Sequence, residues 1–412
     1  MKQYCKKLNQ TLICASLSIV AAGTVSANDF SERPYLLGDL GRTKLAEDGV
    51  SVSSVYMNTF MVNAAGGIDR GTAYKGNLSL SLDFDLDKLV GLHGGRLFIS
   101  GMEHHGNSLS RKEIGDSLGN RKDDVEDSMH LFEIGYEQWL FDDICSIKLG
   151  QIAVSSDFFG SASNFFVHDS FNWQPNGQSA TPSGPDSALG LRLKIEIAED
   201  FYVQGGVYDN GTSGSFGDDR NDKYGTKWSL PQGNRSVWFF EGGLIPQTET
   251  FAVWPVIKIG GWIDDGQATD LVSSTALSSN SGVYLILEKT VWTDPNDVDQ
   301  GLHLFGRFNW SEPDRNQWES EFNIGMLCTG IIPGRDADIF GLSFTHAETS
   351  SEWRSAQGTA ASEQVVEAKY LAMIAPWLDV APFMQIIVNP GGPDGRDLHD
   401  ALVFGLQSSV VF

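Results

Sequence analysis

The sequence predicts an all-β protein, a transmembrane antiparallel β-barrel of about sixteen strands, on three observations. Segments of about 9 to 13 residues alternate between apolar and polar side chains, the period of a strand with one greasy and one wet face, and this length lets a tilted strand cross a bilayer. Tight turns and long polar loops take turns between the segments. Beyond the first two dozen residues there is no run of about 18 apolar residues that could cross a membrane as a helix.

Alternation is clearest from Asn77 to Asp87, where Leu78, Leu80, Leu82, Phe84 and Leu86 hold one parity and Asn77, Ser79, Ser81, Asp83, Asp85 and Asp87 the other. Leu189, Leu191, Leu193, Ile195 and Ile197 repeat it against Gly190, Arg192, Lys194 and Glu196, and Leu402, Phe404, Leu406, Val410 and Phe412 share one parity at the end of the chain. Strands are expected at 51–62, 74–86, 94–105, 130–141, 145–155, 188–197, 201–209, 237–245, 254–264, 281–292, 301–311, 318–329, 336–348, 362–374, 378–389 and 400–412. Turns such as Asp142-Asp143-Ile144, Ala198-Glu199-Asp200 and Ala375-Pro376-Trp377 alternate with loops at 106–129, 156–187, 210–236 and 265–280. That is the pattern of short periplasmic turns and long extracellular loops, with both chain ends at the periplasmic rim. A soluble sandwich would not need sixteen such strands in one domain or sort its loops this way.

The solvent decides which parity faces where. In lipid every backbone group must be paired internally, so the sheet closes, the apolar parity faces lipid and the polar parity lines a lumen. Sixteen strands leave that lumen an aqueous channel.

Ahead of the barrel, Lys2, Lys6 and Lys7 precede an apolar stretch from Leu12 to Gly23 that ends on Val25-Ser26-Ala27, the three parts of a secretory leader. The expected organisation is a signal peptide over 1–27, an N-terminal segment with a short helix over 28–50, and the barrel over 51–412. A lipidated Cys14 is disfavoured because Ile13 stands where a small residue is wanted. Past the leader only Cys145 and Cys328 remain, so no disulfide framework is expected. Those two lie seven strands apart around the wall and should be free thiols. Net charge is −24, which argues against nucleic acid as partner. Gly at 45 of 412 is well above the usual share of about 7%, and no composition break divides the chain.

The stretch Tyr35-Leu36-Leu37-Gly38-Asp39-Leu40-Gly41-Arg42-Thr43-Lys44-Leu45-Ala46-Glu47-Asp48-Gly49-Val50 resembles the start of the OprB family of carbohydrate-selective porins. Tyr136-Glu137-Gln138-Trp139-Leu140, Lys148-Leu149-Gly150-Gln151, Asp157-Phe158, Gly190-Leu191-Arg192-Leu193, Lys258-Ile259-Gly260-Gly261-Trp262 and the ending Gly405-Leu406-Gln407 through Val411-Phe412 are similar to it as well. Leu40 with Gly41 alone departs from the family's Trp followed by two glycines. Physically, Asp39 can cap a helix from Leu40 to Asp48 that Gly49 ends. The resemblance implies passive diffusion of small sugars through the outer membrane, with lipid around the wall and with Phe412 as the signal read by the barrel-assembly machinery. A general porin or a structural outer-membrane protein is the alternative.

A sugar offers hydroxyls to polar side chains and a C–H face to aromatic rings, so a selective pore needs both near its narrowest point. Lumen parity near mid-membrane selects Glu133, Glu137 and Trp139 on the fourth strand, Arg192 and Lys194 on the sixth, and His303, Arg307 and Asn309 on the eleventh. Asp83, Asp85, Arg96, Glu319, Glu321, Glu367 and Lys369 line other depths. Taken singly, each of these serves general lumen polarity more readily than sugar contact. The third loop, 156–187, holds Asp157, Phe158, Phe159, Phe165, Phe166, His168, Asp169, Phe171 and Trp173, too many aromatics to sit in water, and is expected to fold into the lumen. Phe158 and Trp173 are its candidate stacking rings, and Arg192 and Lys194 should set selectivity with it. No Ser/His/Asp set suggests catalysis. His104 and His105 are adjacent on a strand and point to opposite faces, so neither metal nor cofactor is expected.

Overall fold

The computed structural model of the chain describes residues 30–118, 127–168, 186–209, 224–226, 236–246, 255–266 and 268–412. The leader expected over 1–27 lies outside them. In chain order the strands are β1 (Val50–Gly67), β2 (Gly71–Asp85), β3 (Gly95–Gly106), β4 (Ser128–Leu140), β5 (Cys145–Ile152), β6 (Ala188–Ala198), β7 (Phe201–Asp209), β8 (Ser236–Leu244) and β9 (Val256–Asp264). A two-residue hairpin follows, β10 (Ala268–Thr269) with β11 (Ala276–Leu277). The rest are β12 (Asn280–Asp294), β13 (Asp297–Ser311), β14 (Trp318–Thr329), β15 (Ile339–Thr349), β16 (Ser362–Ala375), β17 (Leu378–Val388) and β18 (His399–Val411).

All strands but β10 and β11 form one closed antiparallel barrel of sixteen, sealed where β1 meets β18. Each strand pairs with its sequence neighbour, so every ladder group finds a partner without an open edge. Burial is inverted relative to a water-soluble protein. Leu191 is 47% and Ile259 62% exposed on the outside, while Arg192 at 3% and Glu367 at 0% are buried inside. No helix among the described residues is long and apolar enough to cross a membrane. The strands cross it.

All sixteen expected strands are present, with three local departures. β1 and β2 stay paired up to Asn63 opposite Gly71, so their hairpin stands taller than the alternation indicated. β4 carries a bulge: Ser100 faces Glu133 while Gly101 faces Leu131, and the extra Phe132 resets the parity so that His130, Glu133 and Glu137 share the lumen side. β5 stops at Ile152 rather than 155, because Val154–Ser156 turns inward as a 3-10 helix.

The rim with the short turns carries the N-terminal segment. Asp39 accepts from Gly41 N (3.0 Å), Thr43 N (2.9 Å) and Thr43 Oγ1 (2.6 Å), capping the helix Arg42–Glu47, and Gly49 leaves it at φ 102°. Leu36 N donates to Val411 O at 2.8 Å and Arg42 to Phe412 O, which ties the segment beneath the seam. Cys145 and Cys328 are free thiols, seven strands apart.

Candidate functional site in the lumen

Two connections fold into the barrel instead of standing on it. The first, following β3, was read from sequence as a polar loop. It buries Leu109, Ile114 and Leu118 with Met61, Trp318, Val365 and Phe383. Its Ser117 and Leu118 amides donate to Glu363 at 2.9 and 3.1 Å, and Gly391 N meets the same carboxylate at 2.8 Å. This fills one side of the lumen.

The other side is filled by the start of the third loop, described to His168. Phe158 packs on Tyr208 (6.4 Å between centroids) and Phe239 (5.6 Å), and Phe159 on Phe239 (5.5 Å) and Tyr284 (4.9 Å). Phe166 lies against Phe305 at 5.8 Å. Gly260 makes room for this packing, because a Cβ there would sit 2.2 Å from the Tyr284 ring.

A loop placed inside a barrel must find acceptors for its amides and donors for its carbonyls, or lose about 1–3 kcal/mol for each orphan. The wall supplies them strand by strand. Ala153 N donates to Glu133 on β4 (2.9 Å), Phe159 N to Glu241 on β8 (3.4 Å) and Ala162 N to Glu288 on β12 (2.7 Å), while Val167 N and His168 N share Glu367 on β16 (2.9 and 2.8 Å). Gln204, Lys258 and Lys369 donate to the carbonyls of Asp157 (2.7 Å), Gly160 (2.5 Å) and Phe165 (2.7 Å). The loop thus runs along the inner wall from β5 to β16.

At its root lies a buried ion cluster. Lys148 Nζ is 2.9 Å from Asp157 Oδ2, and Arg192 Nη2 is 2.7 Å from Glu137 Oε1 and 3.3 Å from Asp157 Oδ1. Ser146 Oγ joins Glu137 to Arg192, at 2.6 and 2.7 Å. Below the cluster, Arg96 Nη1 reaches Glu137 Oε2 at 3.4 Å and its Nε reaches Asp83 at 2.7 Å. Arg96 differs from Arg192 in being open to the lumen, with a third of its side chain exposed.

These positions sort the residues selected from sequence. Arg96, Glu133, Glu137, Asp157 and Arg192 come together at the loop root. Lys194 does not join them: it sits lower on β6, 2.8 Å from Glu196 and over the Tyr202 ring. His303 is across the lumen, 3.6 Å from Glu288 and 3.1 Å from Thr290 Oγ1, and Arg307 and Asn309 are buried above it on β13. Trp139 is not at mid-depth but second from the short-turn end of β4, its amide on Gly94 O. Phe158, at 1% exposure, is a loop anchor with its ring faces occupied rather than a stacking platform. Trp173 lies outside the described residues. Glu241, Glu288 and Lys148 were missed as site residues, although Glu241 and Lys148 are each the single charge on their strands and all three lie on the inward parity.

A closed sixteen-stranded wall with an apolar exterior, a charged interior and loops folded inward is that of an outer-membrane porin. The chain belongs to the carbohydrate-selective porins of the OprB family, whose model matches residues 69–412. It is 24% identical to Porin B of Pseudomonas aeruginosa over 92% of this chain and 91% of that one, and 23% identical to the putative porin QuiX of Acinetobacter baylyi over 96% and 98%. Among solved structures it is similar to Pseudomonas putida OprB at high pH, with a TM-score of 0.81 at 22% identity over 93% of this chain and all of that one. The protein is an outer-membrane channel selective for carbohydrates.

Proposed function

We propose that small sugars diffuse into the periplasm between the two infolded loops, and that Arg96 is the group that grips their hydroxyls. The observation that carries this is Arg96's combination of fixed geometry and exposure. Asp83 and Glu137 take three of its five N–H groups and leave two for a passing hydroxyl. Flanking carboxylates balance its charge, so the site attracts no ion strongly, and its binding stays weak enough to release. Arg192, enclosed by protein, supports this arrangement from behind.

Sugar titrations in planar bilayers test the proposal. Wild-type current should fall saturably with sugar, and Arg96→Ala should weaken the half-blocking concentration about tenfold, the worth of one charge-assisted hydrogen bond. Equal block in both proteins would remove Arg96 from the pathway, and no block in either would describe a general pore.

The same reading includes export by the leader over 1–27, insertion through the barrel-assembly machinery reading Phe412, and a lipid-facing apolar parity. Supporting the last is the outward exposure of Leu80, Leu149, Phe240, Ile259 and Ile324.

A further inference from the structure

The seam where β1 meets β18 ends unevenly at the short-turn rim. Its last register pair is Val55 with Val411, and Phe412 N donates to Ser54 O at 2.9 Å. β1 runs on through residues 50–53, which pair with β2, Val50 opposite Phe84 and Ser53 opposite Ser81, but lie beyond the end of β18. Neighbouring residues of a strand send their N–H and C=O to opposite edges, so Val411 serves the β17 side and Phe412 the seam side.

The segment 30–49 covers this strand end on both sides. Toward β17, Val411 N donates to Trp377 O at 2.9 Å and Val411 O accepts from Leu36 N at 2.8 Å. Toward the seam, Phe412 O accepts from Arg42 Nη1, and the guanidinium carbon lies 4.7 Å from the centre of the Tyr35 ring. The two ends of the segment are fastened to either flank. Phe30 O accepts from Trp377 Nε1 at 3.0 Å, with the two rings 4.9 Å apart. Past the helix, Ala46 O accepts from Lys88 Nζ at 2.7 Å and Gly49 O from Asp85 N at 2.8 Å. The segment is therefore a strap across β17, β18, β1 and β2.

Two properties make the strap a latch instead of a part of the wall. Among residues 30–49 only Gly49 is buried, while Leu37, Leu40 and Leu45 are exposed, so polar bonds and ring contacts hold it without a core and it opens at small cost. Its acceptors Val411 O and Phe412 O also lie at the far end of the chain. Leu36 and Arg42 meet them in this arrangement only when β18 has come to β1.

Until that moment β1 and β18 each have an open edge, and unpaired ladder groups in lipid must be taken by another strand. On the reading in which the barrel-assembly machinery receives this chain through Phe412, that other strand belongs to the machinery. We propose that the strap ends this encounter. By docking on the closed seam it engages Val411 O and Phe412 O, so that the N–H and C=O of both residues are bonded within the chain. A partner that binds by edge-to-edge strand pairing then has nothing to hold at the end of β18.

The test follows the full chain, leader included, during insertion in living bacteria. A photo-crosslinking amino acid at Val410, on the outward parity of exposed Leu406, should join newly made chain to the barrel subunit of the machinery. The adduct should decay during a chase as chains are released. Leu36→Pro with Arg42→Ala removes both donors and should lengthen the adduct's half-life severalfold, while the released barrels keep the wild-type heat-dependent gel mobility. Arg42→Ala alone should fall between, and Leu37→Ala, an exposed neighbour outside these bonds, should match wild type. Decay at the wild-type rate in the double variant, or an equal delay in Leu37→Ala, overturns the proposal. If the double variant never reaches the folded mobility, Arg42→Ala alone decides, and a wild-type lifetime there overturns it as well. Folded barrel with no adduct in wild type would instead overturn the reading of Phe412 on which the proposal rests, and the proposal falls with it.

Discussion

Arg192 shows how a lumen charge can be structural. Its guanidinium, 4% exposed in the side chain, holds Glu137 on the wall and Asp157 on the loop, so it joins two pieces of chain that would otherwise present like charges to each other. Inward parity placed it, with Lys194, beside the infolded loop as a residue setting selectivity. Its burial between wall and loop makes it a structural link. Arg192→Ala uncovers buried carboxylates, though Arg96 still reaches Glu137 and Lys148 still reaches Asp157, so the cost falls at the low end of the range for broken buried pairs, about 3 kcal/mol. Urea titration followed by heat-dependent gel mobility should show the lowered midpoint, and single-channel noise should rise as the loop root loosens.

As far as His168 the third loop has only two short 3-10 turns of its own, Val154–Ser156 and Ala162–Phe165, and the wall holds it at each step. Its hydrogen-bond partners sit on β4, β7, β8, β9, β12 and β16, so no single contact fixes it and no single substitution should release it. Excising Phe158 to Phe166 and joining the ends with a short Gly-Ser linker removes the middle of the set, the bonds to Glu241, Lys258, Glu288 and Lys369. Single-channel conductance should then increase and sugar block should disappear, while the barrel, whose own ladders are untouched, should keep its heat-dependent mobility shift. Unchanged conductance would place the constriction in the loop after β3, held by Glu363.

For the whole molecule, closure and solvent act together. The sixteen-stranded ladder has no open edge, and among the described residues no disulfide assists it, since Cys145 and Cys328 are free thiols seven strands apart. Stability therefore rests on which parity faces lipid. Leu80 is outward and 49% exposed, while its neighbour Ser81 faces the lumen. Leu80→Arg should destabilise the barrel by up to about 2–4 kcal/mol, and Ser81→Arg should fold normally and alter ion preference. Equal effects on folding would contradict the facing assigned here.

Strand number, pairing order and facing were legible in the sequence because a period of two is local: Asn77 to Asp87 states its two faces without reference to any other segment. The cap at Asp39 was legible for the same reason. Parity says that a side chain points inward, but it says neither how deep nor against what, so Trp139 was read as a mid-lumen residue and Arg192 as solvent-facing. The partners of the third loop could not be read at all. Its buried amides need acceptors, and only closure of the barrel brings Glu241, Glu288 and Glu367, between 82 and 200 residues away along the chain, within hydrogen-bonding distance. The sequence by itself determined the wall. The tertiary structure alone decided what fills it, because the burial that demands those bonds exists only after the sheet has closed.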